Sequence, residues 1–176
     1  MSDEVQGLTV VFTGDGKGKT SAAMGVVFRA LGHGMKCRVV QFIKGTMDTG
    51  EIRSAEAHGD SLEIVRVGKG FTNTGKHTEE EHKEAAQDGL MEAEKSLDGS
   101  YGVVVLDEIL YALGKGLVTL EDIFWLIKSK PETTHLVFTG RGAPQELIDI
   151  ADMVTEMKSV KHPYSSGIPA QKGLDY

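Results

Sequence analysis

The segment Thr13-Gly14-Asp15-Gly16-Lys17-Gly18-Lys19-Thr20-Ser21 sets a lysine and two hydroxyls behind alternating glycines, the combination needed to hold phosphate groups. It follows the apolar run Leu8 to Phe12 and precedes a small-residue helical pattern beginning at Ala22. A glycine-rich loop between strand and helix turns backbone N–H groups toward phosphate oxygens. Lys19 adds a point charge, and the hydroxyl of Thr20 or Ser21 can reach a Mg²⁺ ion. Gly14, Gly16 and Gly18 leave room for oxygens to approach the main chain, with Asp15 and Lys17 between them. Thr13 stands where the first glycine of G-x-x-x-x-G-K-[ST] belongs. A dinucleotide G-x-G-x-x-G fails, because its third glycine falls on Lys19. The loop predicts nucleotide triphosphate binding.

A second group of polar residues closes the run Val103-Val104-Val105-Leu106-Asp107-Glu108. Strand C-termini of a parallel sheet face the ligand crevice, so both acids are expected beside the loop. Asp107 is the second anchor for Mg²⁺, together with Thr20. Glu108 orients a water, touches the ribose or caps the following helix. Arg141, after the run Leu136 to Thr139, is either a partner for phosphate charge or an ordinary surface arginine. Phe71, among the glycines and polar residues of 68–77, either covers a flat apolar ligand or tucks into the core. The histidines at 33, 58, 77, 82, 135 and 162 show no metal-ligand spacing, and a lone cysteine excludes a thiolate zinc site. No G-x-S-x-G elbow supports nucleophilic hydrolysis.

Alternating strand and helix signals must position these residues. Strands are expected at Leu8–Phe12, Arg38–Ile43, Leu62–Val67, Val103–Leu106, Leu136–Thr139 and Met153–Glu156. Several are continuous Val/Ile/Leu runs, as in strands buried on both faces. Helices are expected at Thr20–Leu31, Glu79–Leu97, Leu120–Lys128 and Pro144–Ile150. Thr78 with Glu81 forms a capping box, and Ala86, Leu90, Ala93 and Leu97 make the sheet-facing stripe. The pattern is α/β, a six-stranded, mostly parallel sheet with helices on both faces.

The 176 residues fit a single domain, 1–176. Its last stretch, 158–176, is expected to pack on the domain through Val160, Tyr164, Ile168, Leu174 and Tyr176. A net charge of −7 and a pI near 5.4 argue against a large nucleic-acid surface, and only five arginines count against a small-molecule kinase. No apolar run is long enough for a membrane span, and the acidic Met1-Ser2-Asp3-Glu4 lacks a signal-peptide core. A cytoplasmic location follows as the expectation. Cys37 reads as a small buried thiol.

The loop 13–20 with Arg29-Ala30-Leu31-Gly32-His33-Gly34 resembles the P-loop type of ATP:corrinoid adenosyltransferase. So do Val39-Val40-Gln41-Phe42-Ile43-Lys44-Gly45, Gly70-Phe71-Thr72 and Leu106-Asp107-Glu108. Further matches are Thr139-Gly140-Arg141, Val154-Thr155-Glu156-Met157, Val160-Lys161-His162-Pro163, Gly167-Ile168 and Ala170-Gln171-Lys172-Gly173. The resemblance implies a homodimer of RecA-like P-loop NTPase subunits that moves the 5′-deoxyadenosyl group of ATP to cob(I)alamin or a related corrinoid, releasing triphosphate. It implies Mg²⁺ (or Mn²⁺), an electron-donating flavoprotein as reductant, and ATP lying on the loop in reversed direction. Lys19, Asp107, Glu108 and Phe71 would then be catalytic. Residues 14–21 and Arg141 would bind nucleotide. Phe71 would help remove the lower axial ligand of cobalt. Asn73 stands where the family carries a tryptophan, and the only tryptophan is Trp125.

Two other readings compete: an ATP-hydrolysing switch or motor on the same fold, and a non-catalytic nucleotide or corrinoid binder. Triphosphate as product separates the first reading from hydrolysis to ADP.

Overall fold

The computed structural model describes residues 5–45 and 49–176; the acidic residues 1–4 lie outside that range. Six strands form one sheet: β1 (Thr9–Thr13), β2 (Cys37–Gln41), β3 (Leu62–Arg66), β4 (Val103–Asp107), β5 (His135–Thr139) and β6 (Met153–Glu156). Their order is β3-β2-β4-β5-β1-β6, and every pairing is parallel. All six expected strands occur, with no end shifted by more than two residues and Met153–Glu156 unchanged.

The helices are α1 (Lys19–Gly32), α2 (Gly50–Glu56), α3 (Glu79–Lys95), α4 (Ile109–Gly114), α5 (Leu120–Ser129) and α6 (Gln145–Ile150). α3 and α5 each begin with a complete capping box, Thr78 with Glu81 and Thr119 with Asp122. α2 was not expected, because seven residues carrying only Ile52 and Ala55 show too little periodicity.

Neighbouring side chains on a strand point to opposite faces, so the unbroken apolar runs of β1, β2, β4 and β5 supply two cores. On one face Val10, Phe12, Val39, Val105 and Val137 pack with Ala23, Val27 and Ala30 of α1 and Ala55 of α2. On the other, Val11, Val40, Val104, Leu106 and Phe138 pack with Ala86 and Ala93 of α3, Ile109 of α4, Leu126 of α5 and Leu147 of α6. Each large side chain removed from water in this way stabilises the fold by about 1.5–3 kcal/mol.

The register places the site. Gln41 pairs with Asp107 and Phe12 with Thr139, while Thr13 pairs with Glu156. The polar residues that end these strands therefore form a row along one sheet edge.

The tail differs from expectation. Val160 and Tyr164 are 87% and 80% exposed, and Ile168, Leu174 and Tyr176 are exposed too. An ion pair holds it instead: Lys17 Nζ lies 2.7 Å from Asp175 Oδ1.

Candidate active site

β1 delivers the chain into the loop 14–18, and α1 leaves it. Gly18, at φ 121°, caps α1 without a side chain, and the first turn holds no acidic residue. The helix N-terminus thus keeps its partial positive charge and free N–H groups for an anion. Lys19 Nζ donates to the carbonyl oxygens of Gly14 and Gly16, both at 2.8 Å, which holds the loop curled around its ammonium. Burial lowers the Lys19 pKa from its usual value; Glu108 and Asp15 oppose this and Arg141 adds to it.

The glycines answer to a constraint that their spacing does not reveal. The chain leaving β6 runs against the loop, and the Gly16 N–H donates to the Met157 carbonyl at 2.6 Å. A Cβ on Gly14 would sit 2.5 Å from that oxygen, and one on Gly16 2.7 Å from it. Gly14 and Gly16 admit the Met157 backbone, which also takes up the Gly16 N–H.

Asp107, fully buried at the end of β4, accepts from two hydroxyls on one carboxylate oxygen. Thr20 Oγ1 donates to Oδ1 at 2.7 Å and Thr139 Oγ1 at 2.8 Å. Oδ2 is held more loosely, by Gln41 Nε2 at 3.4 Å and Lys44 Nζ at 3.9 Å. A hydroxyl beside a carboxylate with a spare oxygen is a hard-oxygen donor pair suited to Mg²⁺, which keeps waters and phosphate oxygens for its other positions. Ser21 is exposed, so of the two hydroxyls only Thr20 reaches Asp107. Among the described residues no cluster of three or more His, Cys, Asp or Glu is arranged to hold a metal ion by itself.

Glu108 adopts a left-handed backbone, φ 62°, and its N–H donates to Thr139 Oγ1 at 2.8 Å. Thr139 therefore spans both acids. Burial raises the Glu108 pKa and the adjacent Asp107 charge adds to it, against Lys19, Lys44 and Arg141. Lys44 in turn pairs with Glu51 at 2.6 Å. Although burial pulls Glu51 upward, its bonds to Lys44 and the backbone hold its pKa below the usual value. Arg141 Nη1 lies 3.6 Å from Asp15 Oδ1 on the rim of the loop, both side chains largely exposed.

Phe71 is half exposed and does not enter the core. Its ring meets Tyr111 edge-on, with centroids 5.3 Å apart at 80°. Tyr111 Oη accepts from the Thr72 N–H at 3.1 Å and shares a 2.8 Å hydrogen bond with Thr72 Oγ1. Tyr111 lies one turn beyond Glu108, its N–H bonded to the Glu108 carbonyl at 3.1 Å, so α4 links the acids to the aromatic loop. Asn73 is exposed.

Sequence reasoning gave no role to Tyr111, Thr139, Gln41, Lys44, Glu51 or Met157. Thr139, Gln41, Lys44 and Met157 lay within recognised blocks, which was a usable signal. Tyr111 and Glu51 carried none, because their roles come from strand order and helix direction.

Comparison with known proteins supplies the family. The model described as ATP:corrinoid adenosyltransferase BtuR/CobO/CobP matches residues 5–176. A corrinoid adenosyltransferase of Sinorhizobium sp is 43% identical, the match covering 97% of this chain and 81% of the relative. One from Escherichia coli (strain K12) is 38% identical over 99% of this chain and 88% of its own length. Among solved structures, the flagellar accessory protein FlaH from Methanocaldococcus jannaschii gives a TM-score of 0.55 at 13% identity, covering 86% of this chain and 71% of that one. The RadB recombinase gives 0.52 at 12%, covering 90% and 78%. Those two likenesses concern the fold alone, which is RecA-like. The chain belongs to the ATP:corrinoid adenosyltransferase family.

Proposed function

We propose that this protein transfers the 5′-deoxyadenosyl group of ATP to the Co(I) centre of a corrinoid such as cobalamin and releases triphosphate. The observation that carries the reading is one continuous structure at the sheet edge. The phosphate loop with its Thr20–Asp107 pair and the Phe71–Tyr111 aromatic pair are joined through the first turn of α4.

In the reaction a cobalt–carbon bond forms at C5′ as the C5′–oxygen bond breaks, and its electron pair leaves with triphosphate. Co(I) is itself a strong nucleophile, so the protein needs no general base; alignment is its main contribution. Lys19, the loop N–H groups and Arg141 meet the charge gathering on the leaving group. Thr20 and Asp107 are the side chains that would hold Mg²⁺ (or Mn²⁺), which supplies further charge neutralisation when bound. Glu108, next to Asp107 at the start of α4, would meet the ribose. Phe71, steadied by Tyr111, stands beside the corrin, where an apolar ring disfavours a lower axial ligand and eases reduction of cobalt(II).

The reading extends to a single domain working as a homodimer in the cytoplasm, supplied with electrons by a flavoprotein.

An anaerobic assay with Mg-ATP and chemically reduced cobalamin tests this. A light-sensitive adenosylcobalamin spectrum with one triphosphate per cobalt–carbon bond is expected. ADP and phosphate without a cobalt–carbon product would overturn it in favour of hydrolysis. Lys19→Ala should lower turnover about 10²–10³-fold, the loss typical of one donor to developing negative charge.

A further inference from the structure

Two charged residues beside Asp107 take no part in the proposed reaction. Lys44 follows the end of β2, and Glu51 lies in the first turn of α2. Lys44 Nζ is 2.6 Å from Glu51 Oε1 but 3.9 Å from Asp107 Oδ2, beyond hydrogen-bond length. Gln41 Nε2 is shared between the same two oxygens, 3.3 Å from Glu51 and 3.4 Å from Asp107. One ammonium and one amide thus face two carboxylates, and the ammonium is held by Glu51. Asp107 and Gln41 are fully buried and the Lys44 and Glu51 side chains largely so, which leaves these charges poorly screened by water. Glu108 feels the Lys44 charge as well.

Resting on the reading in which Thr20 and Asp107 hold Mg²⁺, we propose that Glu51 is a positioning residue that keeps Lys44 off the carboxylate oxygen the metal requires. Glu51, Asp107 and Glu108 converge here, and without a cation nearby they would repel one another. Lys44 offsets that repulsion. Unrestrained, it would need to move only about 1 Å to form a direct ion pair with Asp107 Oδ2. Such a pair would take up the spare oxygen of Asp107 and set a like charge against Mg²⁺. Glu51 prevents this from the first turn of a helix, where the dipole favours its ionised carboxylate.

Calorimetric titration with ATP, once in Mg²⁺ and once in EDTA, gives the factor by which the metal tightens binding, without corrinoid or turnover. Glu51→Ala should cut that factor about tenfold, a coupling common between contacting charged groups. ATP should bind this variant no more weakly in EDTA, which also shows that it is folded. Lys44→Met alone should change the factor less than about threefold, and added to Glu51→Ala it should restore the wild-type factor. If Lys44→Met raises the factor as much as Glu51→Ala lowers it, the two act only through their fields and the proposal is overturned. Lys44→Met weakening ATP equally with and without metal would make the lysine a phosphate contact, and would overturn it too. A wild-type protein that gains nothing from Mg²⁺ would remove the metal reading and the proposal together. The expected coupling in a protein that forms no cobalt–carbon bond would instead overturn adenosyl transfer and leave the role of Glu51 standing.

Discussion

Glu108 holds a left-handed backbone, φ 62°, which for a residue with a side chain costs about 1 kcal/mol or more. The bond from its N–H to Thr139 and its position between Asp107 and α4 keep it there. Its carboxyl is harder to ionise than usual, first because it is buried and second because Asp107 is beside it. A raised carboxyl pKa means that the folded protein binds this proton more tightly than the unfolded chain does. The destabilising effect of ionisation is therefore largest above the folded pKa, shrinks as pH falls, and is absent below the ordinary value of 4.5. Glu108→Gln, which retains the backbone strain and removes the charge, should raise Tm at neutral pH. The gain should vanish in acid. Paired melting curves at pH 7.5 and pH 4 check this, and an equal Tm difference at both would deny the linkage.

At the scale of elements, close approach dominates. Gly89 sits in the middle of α3, where a Cβ would lie 2.6 Å from the Phe42 ring just beyond β2. In an isolated helix, replacing glycine by alanine gains about 1 kcal/mol. Here the methyl group has no space, so Gly89→Ala should instead destabilise the protein by about 1–3 kcal/mol, as overpacking does. Urea denaturation gives the sign directly; a stabilised variant would show that Phe42 can move aside. The capping box and apolar stripe of α3 were legible because both are local patterns. The reason for a glycine in its middle was not, since Phe42 is brought there only by the docking of α3 on β2. Gly14 and Gly16 carry the same lesson, being crowded by Met157, just beyond β6, which follows them by more than a hundred residues.

For the whole molecule, the two-faced sheet decides which groups meet solvent. Cys37, fully buried at the start of β2, has its thiol pushed up to about 11 by burial. Thiolate, the reactive form, is therefore scarce at neutral pH. Iodoacetamide at pH 8 should leave the native protein unmodified and label one site after unfolding; rapid native-state labelling would show that α1 opens from the sheet. The tail behaves oppositely. Its apolar side chains lie in solvent, and the Lys17–Asp175 pair ties it to the phosphate loop.

From the residues alone came the alternation of strands and helices, the phosphate loop, the paired acids and the family resemblance, because each is written in short, contiguous stretches. Periodicity and motif spacing are properties of neighbours in the chain. The order β3-β2-β4-β5-β1-β6 was not legible in this way, since strand adjacency depends on which faces can be buried together. That order sets Gln41, Asp107 and Thr139 side by side. The direction of α4 then turns Tyr111 onto Phe71, and the docking of α3 buries His82 with its Nε2 lacking a hydrogen bond. These are meetings of residues far apart in the chain, and only the burial of two apolar sheet faces at once brings them about.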